Sequence, residues 1–553
     1  METFGFAPPY ELPTYEFTTP PELCGERTAR YPVVIVGAGP AGLTLACDLA
    51  QRGIRAVLLD EDDTVGVRGA SSRGICYAQK SLEMFARLGV ADRMVAKGVT
   101  WSFGRTFSKD TEVYNFDLKP SSVSRQPPFI NLQQFYIEWF LVDRILEIGC
   151  TELRWKTKVV EVTDRGDHVA LSVTTPQGAY TMEADYVVDG TGANSEIRSQ
   201  LGVPMEASRS TDRWCISDVK FKKPFPVERW TWVDAEFNEG RAVWQHLMAD
   251  EVWRIDYQMG EDALPDEISK PEVAGQRLRK QFGPDVEFEF VWIGPYGYRD
   301  HLVDDFRHGC VLFIGDAAHV VSPFGARGGN TGIQDATNLG WKLALVLGGN
   351  APATLLDSYN AERRAAAFEN LQVTSRSARF LAPGSPVEHT FRRAVIALAN
   401  RFAFARPLVN TGRMSVANDY PPSAWLPDGS RSIQDIPLKW NDGSGTSIMQ
   451  LLAKGTRFLA LCFGSSAQFA VPAGTAAEGA ENIADLPVEF IAVGSDGKAP
   501  ALAPLDDAQA LHLGAPKNGI CLIRPDGYLQ AVLEEPTMAD VRRVMAVAID
   551  GRR

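Results

Sequence analysis

Two short segments of this chain combine glycine and acidic residues at spacings suited to gripping a phosphorylated cofactor. The first is Gly37-Ala38-Gly39-Pro40-Ala41-Gly42, with Asp60 further on. Gly37 permits a tight turn, Gly39 lets the backbone approach a diphosphate, and Gly42 lets a helix pack on the preceding strand. The free N–H groups and positive dipole end of that helix then hold the diphosphate. Asp60 follows at the roughly 20-residue distance at which a carboxylate accepts from a ribose hydroxyl. The second segment opens with Gly315-Asp316 and runs through Ser322-Pro323-Phe324-Gly325-Ala326-Arg327 to Gly328-Gly329-Asn330-Thr331-Gly332. It supplies a second helix start, whose N–H groups could hold negative charge on a ring system.

The elements that must position these residues are legible. Val33-Val34-Ile35-Val36 is a β-branched run suited to a strand buried on both faces, Leu43 to Ala50 is helical and stops near Gly53, and Ala56-Val57-Leu58-Leu59 is a second strand ending in Asp60. Strand, glycine loop, helix, strand and acid in that order describe a dinucleotide site. Further along, the apolar strand Val311 to Ile314 enters Gly315-Asp316, and an amphipathic helix is expected from near Thr331. Between them, Arg229-Trp230-Thr231-Trp232, Arg241 to His246 and Val252 to Tyr257 alternate apolar and polar positions, the pattern of an antiparallel sheet with one buried face.

Composition bounds the rest. A chain of 553 residues is too long for one ordinary core, and two or three domains are expected. Its 56 Lys+Arg against 69 Asp+Glu leave a net charge of −13, which argues against nucleic acid and anionic membrane partners. No uninterrupted apolar run is long enough to span a bilayer. The eight cysteines are scattered without a C-x-x-C pair, as expected of reduced thiols in the cytoplasm. The proline-bearing residues 1–30 have no apolar core of a signal peptide and read as an irregular extension on the surface.

The segment from Val311 to Leu343 closely resembles the Gly-Asp motif of the class A flavin monooxygenases, the para-hydroxybenzoate hydroxylase and phenol hydroxylase family. With the first fingerprint, the resemblance spans roughly residues 31–380. It implies FAD as the bound cofactor, with Asp316 on its ribityl chain and the stretch from Gly328 to Thr331 against the pyrimidine ring. Arg73, in Ser71-Ser72-Arg73-Gly74, resembles an arginine near the FAD phosphates, and Gln134 resembles a helix glutamine on the flavin side of the pocket, although Gln133 beside it leaves the assignment between the two open. Arg198 matches the end of the family's Asp-Gly motif.

Two departures from the family stand out. In Val188-Asp189-Gly190-Thr191-Gly192-Ala193-Asn194-Ser195, the family aspartate, tied to pyridine nucleotide and FAD contacts, is replaced by Thr191 and the arginine by Asn194. Asp189-Gly190 imitates the motif two residues early and is not credited with its role. Arg327 stands where the family usually has glutamine, and is read either as a fixed positive charge near the flavin or a substrate acid, or as a solvated loop arginine.

The expected fold is α/β: a Rossmann-like FAD-binding domain of the glutathione-reductase type, an inserted antiparallel β-sheet substrate domain, and a thioredoxin-like C-terminal domain lacking Cys-x-x-Cys. The expected boundaries are an extension over 1–30, FAD-binding parts over 31–205 and 300–395, the substrate sheet over 206–299, a linker over 396–419, and the C-terminal domain over 420–553. That last domain, which ends in an Arg524-Pro525-Asp526-Gly527 turn, is read as structural or oligomeric, with a homodimer as the assembly it suggests.

The resemblance further implies the chemistry. NAD(P)H reduces FAD transiently without a Rossmann domain of its own, O₂ adds to form a C4a-hydroperoxide, and one oxygen passes to a phenolic or polyketide-type ring. A phenol reacts best as phenolate, so a base or cation is expected nearby. His246 and Tyr257, within the substrate sheet, are the candidates by position alone, whereas His319 reads as a structural hydrogen-bonding group. No metal is expected. The competing readings are a non-catalytic FAD-dependent binding protein, a flavin halogenase (whose W-x-W-x-I-P is missing at Trp253-Arg254-Ile255-Asp256) and a membrane-bound epoxidase.

Overall fold

The structure, a computed structural model, describes residues 10–25, 29–66, 74–118, 123–260, 262–381, 383–409, 415–470, 487–495 and 501–551. The β-branched run Val33–Val36 sits in the middle of a parallel sheet and is buried throughout. Its strand, Arg30–Val36, lies between Gly178–Asp189 and Ala56–Leu59, with Val311–Phe313 and Thr151–Arg154 outside these. Val36 pairs with both Leu59 and Asp189, and Asp189 pairs with Phe313. Four strands therefore end level at one edge, and their loops gather there. In parallel α/β sheets that carboxyl edge is where ligands bind.

A second, eight-stranded sheet is joined to the segment that follows one of these strands. Its strands run in the order His319–Val320, Phe288–Val303, Met205–Phe221, Trp253–Met259, Arg241–Leu247, Arg229–Ala235, Phe103–Ser108 and Thr111–Asp117. Trp253–Met259, Arg241–Leu247 and Arg229–Ala235 are the strands whose alternation marks them in the sequence; Met205–Phe221 and Phe288–Val303, which pair beside them, carry no such mark there. The two outer strands from 103–117 and the short His319–Val320 come from outside the 206–299 stretch. Pairing of Leu302 with His319 ties the second sheet directly to the Gly315 segment.

A third, five-stranded sheet occupies the C-terminal part, in the order Ala501–Leu502, Val488–Val493, Phe458–Phe463, Gly519–Ile523 and Leu529–Glu534. It packs with helix Met538–Asp550 against Trp341 and Leu345 of helix Gly328–Leu347 and Leu355 of helix Leu355–Leu381.

Two local boundaries need adjustment. The first strand starts at Arg30, ahead of the β-branched run, and the second glycine-loop helix starts at Gly328 and not near Thr331, because the missing side chains of Gly328 and Gly329 hide helical periodicity there. Within the extension, residues 10–25 are held to the first sheet by specific contacts. Tyr15 stacks on Trp155 at 4.4 Å, and Glu22 forms a 3.1 Å ion pair with Arg154 in which both side chains are at most 3% exposed. All eight cysteines are free thiols. No helix among the described residues is long and apolar enough to cross a membrane.

Candidate functional site

The first glycine loop is built for close backbone approach. Gly37 has φ +105°, and a Cβ there would lie 2.7 Å from the Gly190 carbonyl oxygen. A Cβ on Gly42 would collide with the Gly37 carbonyl. Gly39, by contrast, has open space on its side-chain side. Helix Pro40–Gln51 starts with proline and has no side-chain cap, so its leading N–H groups are left for an anion. Asp60 accepts from the Ala38 N–H at 2.5 Å and the Asp62 N–H at 3.0 Å, so its carboxylate lies beside the loop.

The second segment arrives at the same place. Asp316 is exposed on the short turn Gly315–Ala317. Gly332 and Ala41, each near a helix start, are neighbours: a Cβ on Gly332 would lie 3.4 Å from the Ala41 Cβ and 3.1 Å from the Gly315 Cα. Helix Gly328–Leu347 also lacks a side-chain cap, and Gly329 opens on empty space. These two uncapped helix starts with open glycine surfaces fit an extended, phosphate-bearing cofactor such as FAD.

Behind the turn stands Asp335, fully buried and without an assigned role in the sequence reading. It accepts from the Gly315 N–H at 3.1 Å, from Arg363 Nε at 2.7 Å, and pairs with His319 Nε2 at 2.6 Å. Burial alone would raise its pKa, but the charges and hydrogen bonds of His319 and Arg363 outweigh it and hold the carboxyl below its ordinary value. Arg198 braces the far side, donating to the Ala317 carbonyl at 2.7 Å.

The remaining candidates are placed as follows. The Asn330 side chain is fully engaged: it accepts from Ala78 N and Ser81 Oγ, and donates to the Cys76 and Ala326 carbonyls. It thus staples the helix start to strand Cys76–Ala78, leaving only its backbone for a ligand. Thr331 Oγ1 donates to the Arg327 carbonyl and accepts from Asn370. Arg327 is 2% exposed, so the solvated reading is excluded; its guanidinium donates to Asn370. Pro323 and Gly329 are exposed at the loop surface, and Gly328 is half-buried. Gln134 accepts from the Gly74 N–H at 3.2 Å, whereas Gln133 turns away to Tyr10 and the Ala249 carbonyl. Arg73, immediately before Gly74, lies outside the described residues.

Asp189 is buried at its strand end and accepts from Thr191 N, Thr191 Oγ1 and Ser195 Oγ. Its two oxygens are spent on holding the turn that backs Gly37. No carboxylate stands at Thr191 or Asn194.

The second sheet presents two faces. Cross-strand register puts Trp214, Ile216 and Asp218 beside Arg254, Asp256 and Gln258, and beside Trp244 and His246, on one face. Trp214 and Trp244 stack at 4.5 Å, and Phe324 from the second segment meets Trp244 edge-on at 5.1 Å. This face therefore meets the second glycine segment at Phe324. Its other end is charged: Arg254 pairs with Asp256 at 3.2 Å, and Arg229 lies 6.0 Å from the Trp101 ring. Asn131 joins the layers, accepting from Trp101 Nε1 and donating to the Leu247 carbonyl, while Cys76 Sγ leans on it at 3.1 Å.

His246 is on this face, but burial and the charges of Arg229 and Arg254 push its pKa well below the usual histidine value. It is a neutral imidazole and a poor base. Tyr257 does not join the group. It lies on the opposite face among Val219, Trp232 and Leu278, and its hydroxyl donates to Gln281 of helix Pro271–Phe282 at 2.6 Å. A one-residue step in a strand reverses the face, and counting along the alternation cannot say which face is which. The group missed by sequence is Asp218, 2% exposed with Oδ1 unpartnered among the described residues. Burial raises its pKa to about 7, with Arg254 pulling it down and Asp256 pushing it up. Its position inside a strand carries no motif; only the fold reveals it.

Comparisons with known proteins agree with this geometry. The family described as "FAD binding domain" matches residues 30–374. The 6-methylpretetramide 4-monooxygenase of Streptomyces rimosus is 28% identical over 544 residues, covering 93% of this chain and 91% of that protein. A 3-(3-hydroxy-phenyl)propionate/3-hydroxycinnamic acid hydroxylase of Mycolicibacterium smegmatis is 26% identical, covering 78% of this chain and 77% of that protein. Among solved structures, the anhydrotetracycline hydroxylase OxyS from Streptomyces rimosus superposes with a TM-score of 0.72 at 26% identity, over 94% of this chain and 99% of that one. The monooxygenase PieE, solved with FAD and substrate, shares the mixed α/β fold with a TM-score of 0.77 at 21% identity, over 94% and 99% of the two chains. A match over more than half the chain, on a site shaped for this cofactor, decides the matter: the chain belongs to the FAD binding domain family and is a class A FAD-dependent monooxygenase.

Proposed function

We propose that this enzyme hydroxylates a phenolic, polyketide-type aromatic substrate with NAD(P)H and O₂, on the sheet face that bears Trp214, Trp244, His246, Arg254 and Asp218. The observation carrying this reading is the arrangement of that face: stacked indoles meeting Phe324 at one end, and a buried acid with a pKa of about 7 beside cationic groups at the other. Flat apolar walls suit a ring system, and the charged end suits its hydroxyl. The names of the tetracycline-type relatives support a fused-ring substrate.

Bound FAD would lie along the carboxyl edge, its diphosphate on the helix start after Gly37, Gly39, Pro40, Ala41 and Gly42, and its ribose toward Asp60. Asp316 would meet the ribityl hydroxyls, and Gly328, Gly329, Asn330 and Thr331 would offer backbone N–H groups to the ring, with Pro323 and Gln134 at the rim. FAD supplies hydride acceptance from NAD(P)H and oxygen transfer. The chain's own residues do the rest. Asp218 accepts the phenolic proton, Arg229 and Arg254 favour the phenolate by charge, and neutral His246 accepts a hydrogen bond from a ring substituent. Arg327 acts from behind, through Asn370 and Thr331. The sheets exclude water.

The same reading divides the chain into the Rossmann-like FAD-binding domain, the inserted sheet and a thioredoxin-like C-terminal domain, in a cytoplasmic enzyme. Level strand ends, antiparallel pairing and the five-stranded C-terminal sheet support each part in turn. The test is rapid mixing of the oxidised enzyme with NADPH across phenols and polycyclic aromatics. Flavin bleaching accelerated by one class, with a product heavier by one oxygen, is expected. Flavin that stays oxidised with every ligand would favour a sequestering protein instead.

A further inference from the structure

A second charged network, away from the substrate face, joins the C-terminal sheet to the flavin turn. Arg524 follows strand Gly519–Ile523 and is 2% exposed. Its guanidinium donates to both oxygens of Glu362 at 2.8 Å and to Asp526 at 2.7 Å. Asn338 bridges onward, donating to Glu362, to Asp526 and to the Tyr420 hydroxyl. That hydroxyl also accepts from Arg363 at 3.2 Å, and Arg363 holds Asp335, whose other oxygen holds the Gly315 N–H. The path from Arg524 to Gly315 is unbroken, and each of its side chains is at most 3% exposed.

A second leg reaches the other helix start. Lys80 donates to the Gly527 carbonyl at 3.3 Å and to the Ile433 carbonyl at 3.2 Å. Next to it, Ser81 donates to Asn330. Both ends of the Gly315–Gly332 segment are thus tied to one turn of the C-terminal part, over Arg524–Gly527.

Docking two domains does not require this. Apolar contacts such as Phe458 edge-on to Trp341 at 5.5 Å already join them. Burying several charges is costly and is offset only by accurate geometry, so such a network admits one arrangement of its parts. Contiguous hydrogen bonds run from Arg524 to Asp335, the physical route by which the position of one would bear on the other.

We propose that the Arg524–Asp526 turn is a positioning element for FAD: the C-terminal domain, docked through it, sets the geometry of the Gly315-Asp316 turn and so the affinity and environment of the flavin. This rests on the FAD placement proposed above. The test uses full-length protein carrying Arg524→Lys, which keeps the charge and loses the two-oxygen grip. Asp526→Asn is the second variant, in case the first fails to fold. Phe458→Leu is the control, since it weakens the same interface outside the network.

The readouts are the FAD dissociation constant, the visible spectrum of bound flavin, and Tm. Arg524→Lys or Asp526→Asn is expected to weaken FAD binding at least tenfold and shift the flavin band, whereas Phe458→Leu lowers Tm with FAD affinity within twofold. Equal FAD affinities for wild type and network variants, or losses that follow Tm alike in all three, would overturn the proposal. Asp316→Ala separates the two claims: if it keeps full FAD affinity, the placement of FAD is wrong, whatever Arg524→Lys does.

Discussion

Gly332 and Ala41 lie almost 300 residues apart in the chain, yet a methyl on the first would sit 3.4 Å from the methyl of the second. Two helix starts converge through this contact because both positions carry almost no side chain. Gly332→Ala would also press on the Gly315 Cα at 3.1 Å. Overpacking of this kind costs about 1–3 kcal/mol. The expected result is FAD binding weakened about tenfold, with loss of retained flavin on purification of Gly332→Val. Titration of apoprotein with FAD checks it, and unchanged affinity in both variants would disprove the convergence at the cofactor.

Asp218 should govern the pH dependence of turnover. With its carboxyl titrating at about 7, the rate of hydroxylation is expected to rise through that pH as the base form appears. Asp218→Asn should lower kcat by roughly 100-fold and remove that limb. The stability effect has a definite sign. An unfolded aspartate releases its proton near pH ~4, while the folded one keeps it to about 7. Stability therefore falls as pH rises across that window, and Asp218→Asn should unfold at a higher temperature than wild type at pH 8. A wild-type pH profile in the variant removes Asp218 from the mechanism.

His246 and Tyr257 should separate cleanly. Tyr257→Phe loses one hydrogen bond to Gln281, about 0.5–1.5 kcal/mol of stability, and keeps kcat within twofold. His246→Gln should lower kcat/KM several-fold without moving the pH profile between 6 and 8, because the imidazole is already neutral there. Steady-state kinetics on one active substrate decides both. A large kcat loss in Tyr257→Phe would put the substrate on the other face of the sheet.

Acid stability should depend on Glu362. Arg524 and Lys342 overcome the burial that would raise its pKa and hold it at about 2. Its contribution is present above the ordinary glutamate pKa and is lost as pH falls toward 2. Glu362→Gln leaves buried cations with one acid fewer and should cost about 3–5 kcal/mol at pH 7. The gap from wild type should narrow as the pH is lowered to 3, read from denaturant unfolding. A gap that stays constant would mean Glu362 is not ionised in the fold.

The cofactor end of the site could be read in the chain because its chemistry is local. Gly37, Gly39 and Gly42 mark backbone that must come close to something, and Gly315-Asp316 with Gly328 to Gly332 marks it again; turn geometry and helix starts are written within a few residues. The substrate end could not be read in that way. The alternation around Trp230, Trp244 and Tyr257 foretells a sheet, but which face meets the cofactor depends on pairing between strands far apart in sequence. Hence the alternation points to Tyr257, which faces Gln281, and is silent on Asp218, which shares its face with Trp214.

What the amino-acid order alone determined was the kind of cofactor and the elements that hold it, because short-range sterics and hydrogen bonding select them. Tertiary structure alone decided the electrostatics. Asp218 has a raised pKa, His246 a lowered one and Asp335 a firm charge because of what long-range packing buries beside each. Burial and neighbouring charge act through space, and no spacing along the chain encodes them.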